Sequence, residues 1–274
     1  MTSYGVTGAT VRFGGTTALV DVSLRVAPGE IVVVVGGDGA GKSTLLRTLA
    51  GEVPLASGTV QAPDPRRLGY LPASAGSWAG LTVVQNMDFA GGVYGLTGSA
   101  LDTRRDEVLG RAGLGGVGDR VAAKLSGGMR RKLGFGMAVQ HQPPLLVLDE
   151  PSTGVDPVSR VDLWRMVAEA ATAGAAVVMS TTYLDEAERA TYLLALDEGQ
   201  VLAEGPVDEV LASLPGVVTA VEEAVRPQWS WRRGRMRREY WPQGDPTRGR
   251  VVAPDLEDVV IALSLARRTT AVAS

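Results

Sequence analysis

The chain has no cysteine among its 274 residues. That excludes a disulfide framework, a thiolate metal site and a cysteine nucleophile, and it suits a reducing cytoplasm. Histidine occurs once, as His141, and lysine stands only at 42, 124 and 132. The longest apolar runs, IVVVV at 31–35 and LLVL at 145–148, fall far short of the ~20 residues that span a bilayer. The N-terminus, MTSYGVTGAT, lacks the charged-then-apolar layout of a secretory signal. The expectation is a soluble chain, or one held at a membrane by a partner. There is no internal repeat and no low-complexity tail.

What is present fits a folded globular protein, with 45% apolar residues. A net charge of −3 argues against wholesale nucleic-acid binding, and no nucleic-acid partner is expected. Glycine is abundant, with 35 residues against an average share of roughly 7%. Val20, Val22, Leu24 and Val26 alternate with polar residues, so 20–26 reads as a strand with one solvated face. After the PGE turn at 28–30, uninterrupted IVVVV reads as a strand buried on both faces, as in a parallel sheet. KSTLLRTLA (42–50) reads as a helix, and LLVLD (145–149), AAVVMST (175–181) and YLLALD (192–197) as further central strands. Helical stretches at 157–173 and 184–190 separate them. This order implies an α/β architecture. Residues 75–140 break the pattern and read as a helical insertion. From about 217 the character changes to short strands and turns, closed by the helix LEDVVIALSLARR (256–268) with its arginines in the last turn.

GGDGAGKS (36–43) matches G-x-x-x-x-G-K-[ST] and lies between a buried strand and a helix, the context that confirms it. A polyphosphate needs inward backbone N–H groups and the positive end of a helix. The phosphate-binding set is Gly36, Gly37, Asp38, Gly39, Ala40, Gly41, Lys42, Ser43 and Thr44. The four glycines allow close approach and positive φ. Lys42 supplies a compact charge to the β- and γ-phosphates, and the Ser43 hydroxyl is a Mg²⁺ ligand. The competing reading is a glycine-rich turn that merely joins strand to helix. LLVLDE (145–150) places Asp149 and Glu150 at the end of a buried strand, where ligands gather in open α/β sheets. Asp149 is assigned to the metal and Glu150 to polarising the attacking water as general base. The alternative is two carboxylates capping a loop.

With these elements in place, LSGGM at 125–129 carries a resemblance: the chain is similar to the ATP-binding cassette of ABC transporters across roughly residues 3–215. LSGGM resembles that family's signature motif, which ends in Gln in most members where this chain has Met129. EPSTGVDP (150–157) resembles its D-loop, with Asp156 at the aspartate, and Phe13 takes the place of the aromatic that stacks on adenine. VVQNMDFAGGVYGL (83–96) and LEDVVIAL (256–263) resemble the subgroup serving multidrug and polyketide exporters. Physically, Ser126 can cap a helix start while Gly127 and Gly128 leave its N–H groups uncovered, forming a second anion site. An ordinary capped helix explains the serine but not the paired glycines, which lower helix propensity by about 1 kcal/mol each.

The resemblance implies a P-loop NTPase cassette over 1–215, with a mainly parallel sheet, an antiparallel β subdomain and the helical insertion. A small α+β extension covers 216–274. It further implies ATP and Mg²⁺ as cofactors, a second cassette as partner (homodimer or heterodimer), and a separate transmembrane permease subunit. In the family, Ser126, Gly127, Gly128 and Met129 face the γ-phosphate held by the partner cassette. The expected place is cytoplasmic, peripheral on the inner face of the membrane. Two departures stand out. Where the family usually has Gln after the proline of RLGYLPAS (67–74), this chain has Ala73; where it has His after the strand at 175–181, this chain has Thr182. One preorganised donor is typically worth about 10²–10³ in rate, so the chain is expected to bind Mg·ATP well and hydrolyse it slowly. His141 reads as a packing or turn residue. WSWRRGRMRREYW (229–241) would put Trp229 and Trp231 on one strand face. That stretch reads as a solvated strand packed on the last helix, against a headgroup or permease contact or base stacking. A non-transport cassette ATPase and a nucleotide sensor are the rival functions.

Overall fold

The computed structural model describes residues 3–74 and 76–273. Chain order begins β1 (Tyr4–Phe13), β2 (Thr16–Val26), β3 (Ile31–Val35), α1 (Lys42–Leu49), β4 (Ser57–Gln61) and β5 (Leu68–Leu71). The insertion supplies α2 (Val83–Val93), α3 (Gly98–Arg111) and α4 (Gly127–Val139). Then follow β6 (Leu145–Leu148), α5 (Pro157–Thr172), β7 (Ala176–Thr181), α6 (Leu184–Ala187), β8 (Tyr192–Asp197), β9 (Gln200–Gly205) and α7 (Val207–Ala212). The end of the chain forms β10 (Val217–Val221), β11 (Ser230–Arg233), β12 (Met236–Trp241), β13 (Arg250–Val252) and α8 (Leu256–Ala273).

Among the described residues these strands form three sheets. The central one has the order β5-β6-β7-β3-β8-β9, parallel except for the antiparallel β8–β9 pair. Strands β3, β6 and β7 are buried along their whole length, as uninterrupted valine and leucine runs require of a sheet covered on both faces. One core cluster lies on the side of α4 and α5, the other between the sheet, α1 and the antiparallel sheet β2-β1-β4. Parallel pairing brings the C-terminal ends of β3, β5, β6 and β7 to one edge of the sheet, with Leu71 opposite Leu148, Leu148 opposite Met179 and Val35 opposite Thr181. Every catalytic candidate of the sequence reading except the signature motif and Phe13 follows one of those ends.

Several expectations need correcting. Val20 does not share the inward face of β2: it is exposed while Leu19 is buried. Asp21 next to it has φ 53, and the register with β1 slips there, so the bulge turns the alternation over. The last helix does not end on its arginines. It continues to Ala273, and Arg267 and Arg268 reach sideways to Asp197 at the end of β8. The helix expected over 184–190 closes at Ala187. Trp229 lies in a single 3₁₀ turn before β11 rather than in the strand. It and Trp231 nevertheless pack in one cluster with Tyr240, Val218 and Ala262 of α8, and the Trp231 indole donates to Asp258 at 3.3 Å.

Candidate functional site

The loop after β3 is built for close approach. Gly36 has φ 153, and a Cβ there would sit 2.4 Å from the Leu196 carbonyl oxygen; at Gly41 (φ 104) it would sit 2.7 Å from a Leu19 methyl. Gly39 has φ 78. Gly37 departs from the expectation, since it has neither a positive φ nor a neighbour within 4 Å. Asp38 is exposed. Ala40 turns its methyl into the core and takes part in the loop through its backbone, its amide donating to Gly37 O at 3.2 Å. Lys42 and Ser43 open α1, with Thr44 behind them in its first turn. The Lys42 side chain is only 5% exposed. Its Nζ donates to Gly36 O at 2.8 Å and Gly37 O at 3.0 Å, and it lies 3.7 Å from Glu150 Oε1.

The buried Asp149 meets this loop from the end of β6. Its amide donates to Leu71 O, and its Oδ1 accepts from Ser43 Oγ at 3.1 Å and from Ser180 Oγ at 2.6 Å. Glu150 sits in the left-handed region at φ 47. Its amide donates to Ser180 Oγ at 2.9 Å, and its Oε2 accepts from Thr153 Oγ1 at 3.0 Å. Such backbone strain in a non-glycine residue costs on the order of 1–3 kcal/mol and persists where surroundings over-determine it; here those are Lys42, Thr153 and Ser180. The sequence reading missed Ser180 and Thr153. A hydroxyl at the end of the wholly buried VVMST run was the available signal for Ser180.

The signature stretch begins α4. Ser126 is the N-cap, accepting from the Met129 amide at 3.2 Å. The two glycines part company. Gly127 is exposed. Gly128 is buried, and a Cβ on it would come within 2.7 Å of Ser159 Oγ and 2.8 Å of Ser159 Cβ. Its bareness therefore serves the contact of α4 with α5 as well as any uncovered amide. Met129 leans on the core. Asp156 caps α5, accepting from the Ser159 and Val158 amides at 3.0 and 3.1 Å; these bonds, led by Ser159's, hold its carboxyl below the ordinary range. Phe13, at the end of β1, is 50% exposed.

The two departures fall as follows. Ala73 and Thr182 are both exposed, in the loops after β5 and β7. Thr182 is flanked by a fixed frame: Thr181 Oγ1 donates to Glu186 Oε2 at 2.7 Å and accepts from the Tyr183 amide at 3.0 Å. The buried Glu186 also accepts from Ser152 Oγ at 2.7 Å and Arg160 Nε at 3.0 Å. His141 stays away from this cluster as a packing residue. Its ring stacks on Tyr94 at 3.5 Å, and burial pushes its pKa down to about 4.

A glycine-rich loop closed by Lys42, a serine and an aspartate at the carboxyl edge of a parallel sheet define a nucleoside-triphosphate-binding domain of the P-loop type. The ABC transporter family model matches residues 19–153. The "Probable multidrug ABC transporter ATP-binding protein YbhF" of Escherichia coli is 38% identical over 221 residues, 76% of this chain and 38% of that one. The chain thus spans well under half of that relative's length. The "Daunorubicin resistance ATP-binding protein DrrA3" of Streptomyces coeruleorubidus is 36% identical over 226 residues, covering 78% of this chain and 72% of that protein. Among solved structures, an ATP-binding subunit of an ABC transporter superposes with a TM-score of 0.70 at 27% identity, over 76% of this chain and 92% of that one. The chain belongs to the ATP-binding cassette family of ABC transporters, a family of ATPases.

Proposed function

We propose that the chain binds Mg·ATP at the loop 36–44 and powers a separate transmembrane permease through ATP-dependent pairing of two cassettes, in an exporter. The observation that carries this reading is the convergence of Lys42, Ser43, Asp149 and Glu150 on one point, through contacts of 3.1 Å (Ser43–Asp149) and 3.7 Å (Lys42–Glu150). The donor set suits magnesium, a hard cation that takes oxygen ligands about 2.0–2.1 Å away in octahedral geometry. Neighbouring ligands then stand about 3 Å apart, close to the observed Ser43–Asp149 separation. When bound, the ion offsets phosphate charge. Lys42 binds the β- and γ-phosphates, Phe13 stacks on the base, and Glu150 takes the proton of the attacking water.

Ser126, Gly127, Gly128, Met129 and Asp156 are assigned to a second cassette's nucleotide, because Ser126 and Gly127 are exposed at a capped helix start. We assign 1–215 to the cassette and 216–274 to an extension. No helix among the described residues is long and apolar enough to cross a membrane. Following the ABC-transporter relatives, the translocation path is assigned to another chain, with this one on its cytoplasmic side. The contact is placed on the insertion, where Trp78 (47%), Phe89 (50%) and Val93 (61%) are exposed and the Trp78 and Phe89 rings meet at 4.4 Å. Export as the direction of transport follows the relatives named for multidrug transport, daunorubicin resistance and Nod factor export.

Slow hydrolysis follows from Ala73 and Thr182, neither of which extends a side chain long enough to hold both metal and water. Calorimetry with Mg·ATP tests the reading. Binding is expected for the natural chain and lost on Lys42→Ala; no heat from the natural chain overturns it. Thr182→His is expected to raise turnover and leave nucleotide affinity in place. Turnover of several per second by the unaltered chain would remove the slow-site part.

A further inference from the structure

The signature helix also reaches the loop after β5 of its own chain. Arg131, one turn into α4, is half-buried, and its Nη1 donates to Pro72 O at 3.2 Å. Pro72 immediately precedes Ala73, so this bond ties the loop after β5 to α4. Arg131 lines an open cleft with Ala73, Ser74, Gly127, Arg130, Thr153 and Gly154; the Arg130 side chain is turned to the Ala122 and Ala123 carbonyls, each at 3.4 Å. Thr153 in turn donates to Glu150. Burial draws the Arg131 guanidinium below the ordinary arginine range, while Glu150 and then Asp149 pull it back. The guanidinium therefore stands in the field of both site carboxylates.

We propose that Arg131 is a positioning residue for hydrolysis in its own chain: it holds the Pro72–Ala73 loop in place beside the cleft it shares with Thr153, whose hydroxyl donates to Glu150. The inference rests on the Mg·ATP-hydrolysing reading.

Single- and multiple-turnover hydrolysis of Mg·ATP by the full chain tests it, with Arg131→Met, Arg131→Lys and Arg131→Met combined with Ala73→Gln. The Met variant is expected to lose about tenfold or more in kcat, on the scale of one lost preorganised group. Its KM is expected to change by less than about threefold, the signature of a loss confined to the transition state. Lysine, which keeps a charge and a donor, retains most of the rate, and glutamine at 73 recovers part of it in the Met background. Equal kcat for the natural chain and the Met variant overturns the inference, as does a rise in KM at constant kcat. A fall in kcat shared equally by the Lys variant, with lowered unfolding temperatures in both, also overturns it, because that pattern reports packing alone. Failure of the natural chain to bind Mg·ATP is a separate result and sinks the functional reading itself.

Discussion

Replacing Gly128 by alanine tests whether the contact between α4 and α5 depends on a bare backbone. The added Cβ would lie 2.7 Å from Ser159 Oγ, 2.8 Å from Ser159 Cβ and 3.3 Å from Asp156 Oδ2. Carbon atoms prefer about 3.5–4.0 Å. Rotating the hydroxyl away does not help, because the Ser159 Cβ itself is too near. The two helix starts must separate by most of an ångström, and overpacking of this kind costs about 1–3 kcal/mol. Against it stands the helix preference of alanine over glycine, worth up to about 1 kcal/mol. The net loss expected for Gly128→Ala alone is therefore about 1 kcal/mol, or about 2–4 °C in Tm for a domain of this size. The cycle with Ser159→Gly isolates the clash. The double variant should be about 1–2 kcal/mol more stable than the sum of the single losses, well outside the ~0.5 kcal/mol within which independent sites add. Urea unfolding of the four proteins provides the numbers. Gly127→Ala is the milder comparison: its Cβ would meet only Gly154 O, at 3.2 Å, a close contact set against the same helix preference, so a net change within about 0.5 kcal/mol is expected. Additivity in the Gly128–Ser159 cycle would refute the packing role and return both glycines to amide exposure alone.

Glu186→Ala should destabilise the chain by about 3 kcal/mol in denaturant unfolding, because two buried hydroxyls, Ser152 and Thr181, lose their acceptor at about 1–3 kcal/mol each; a loss below about 1 kcal/mol contradicts it. His141 makes stability pH-dependent. Its pKa falls from 6.5 to about 4 on folding, so the unfolded chain binds the proton more readily, and this contribution is present above pH 6.5 and lost as pH falls through about 4. His141→Phe keeps the stack on Tyr94 and removes the titration, so its Tm should fall less than the natural chain's between neutral pH and the pH 4 region; equal falls refute the buried neutral ring.

The central sheet and its phosphate loop were legible because one physical demand wrote each of them. Strands covered on both faces are apolar along their run through the sheet, as 31–35, 145–148 and 176–179 are. A loop that lets backbone amides converge must omit Cβ atoms, and Gly36 and Gly41 have no room for one. β4 was illegible for the opposite reason: all five of its residues, SGTVQ, are exposed, so it carries no alternation and is a strand through pairing with β1 alone. Val20 misled because a bulge is set by one dihedral, at Asp21, which the apolar pattern does not encode. The end of α8 misled because a charge pair suggested a stop, whereas TTAVA beyond it contains no glycine or proline. The inner face near β12 was equally hidden. Glu239, fully buried, accepts from the Val225 and Arg226 amides, while the Arg226 guanidinium lies 3.8 Å over the Trp241 ring. Such a pairing joins residues that only the closed sheet brings together.

The departure at Thr182 lies in a side chain rather than in the backbone. Its neighbours are bound on both sides, Thr181 to Glu186 and the Tyr183 amide to Thr181. Arg160 ties this segment to α5 through Glu186 and Asp185 and lies 4.1 Å over the Tyr183 ring. A backbone held this firmly by a buried carboxylate presents whatever residue stands at 182 in one place, and preorganised placement is what gives a donor its catalytic worth. The frame for a longer donor is thus intact while the donor is absent. At 73 the frame is of another kind, since the loop is tied to α4 through the Pro72 carbonyl and Arg131. The two positions therefore differ in what a restored side chain would find: at 182 a backbone held by the Glu186 frame, at 73 a cleft already shared with a guanidinium. On the proposed function, histidine at 182 is expected to act without further adjustment, whereas the effect of glutamine at 73 is expected to depend on the residue at 131, because positions 73 and 131 line one cleft.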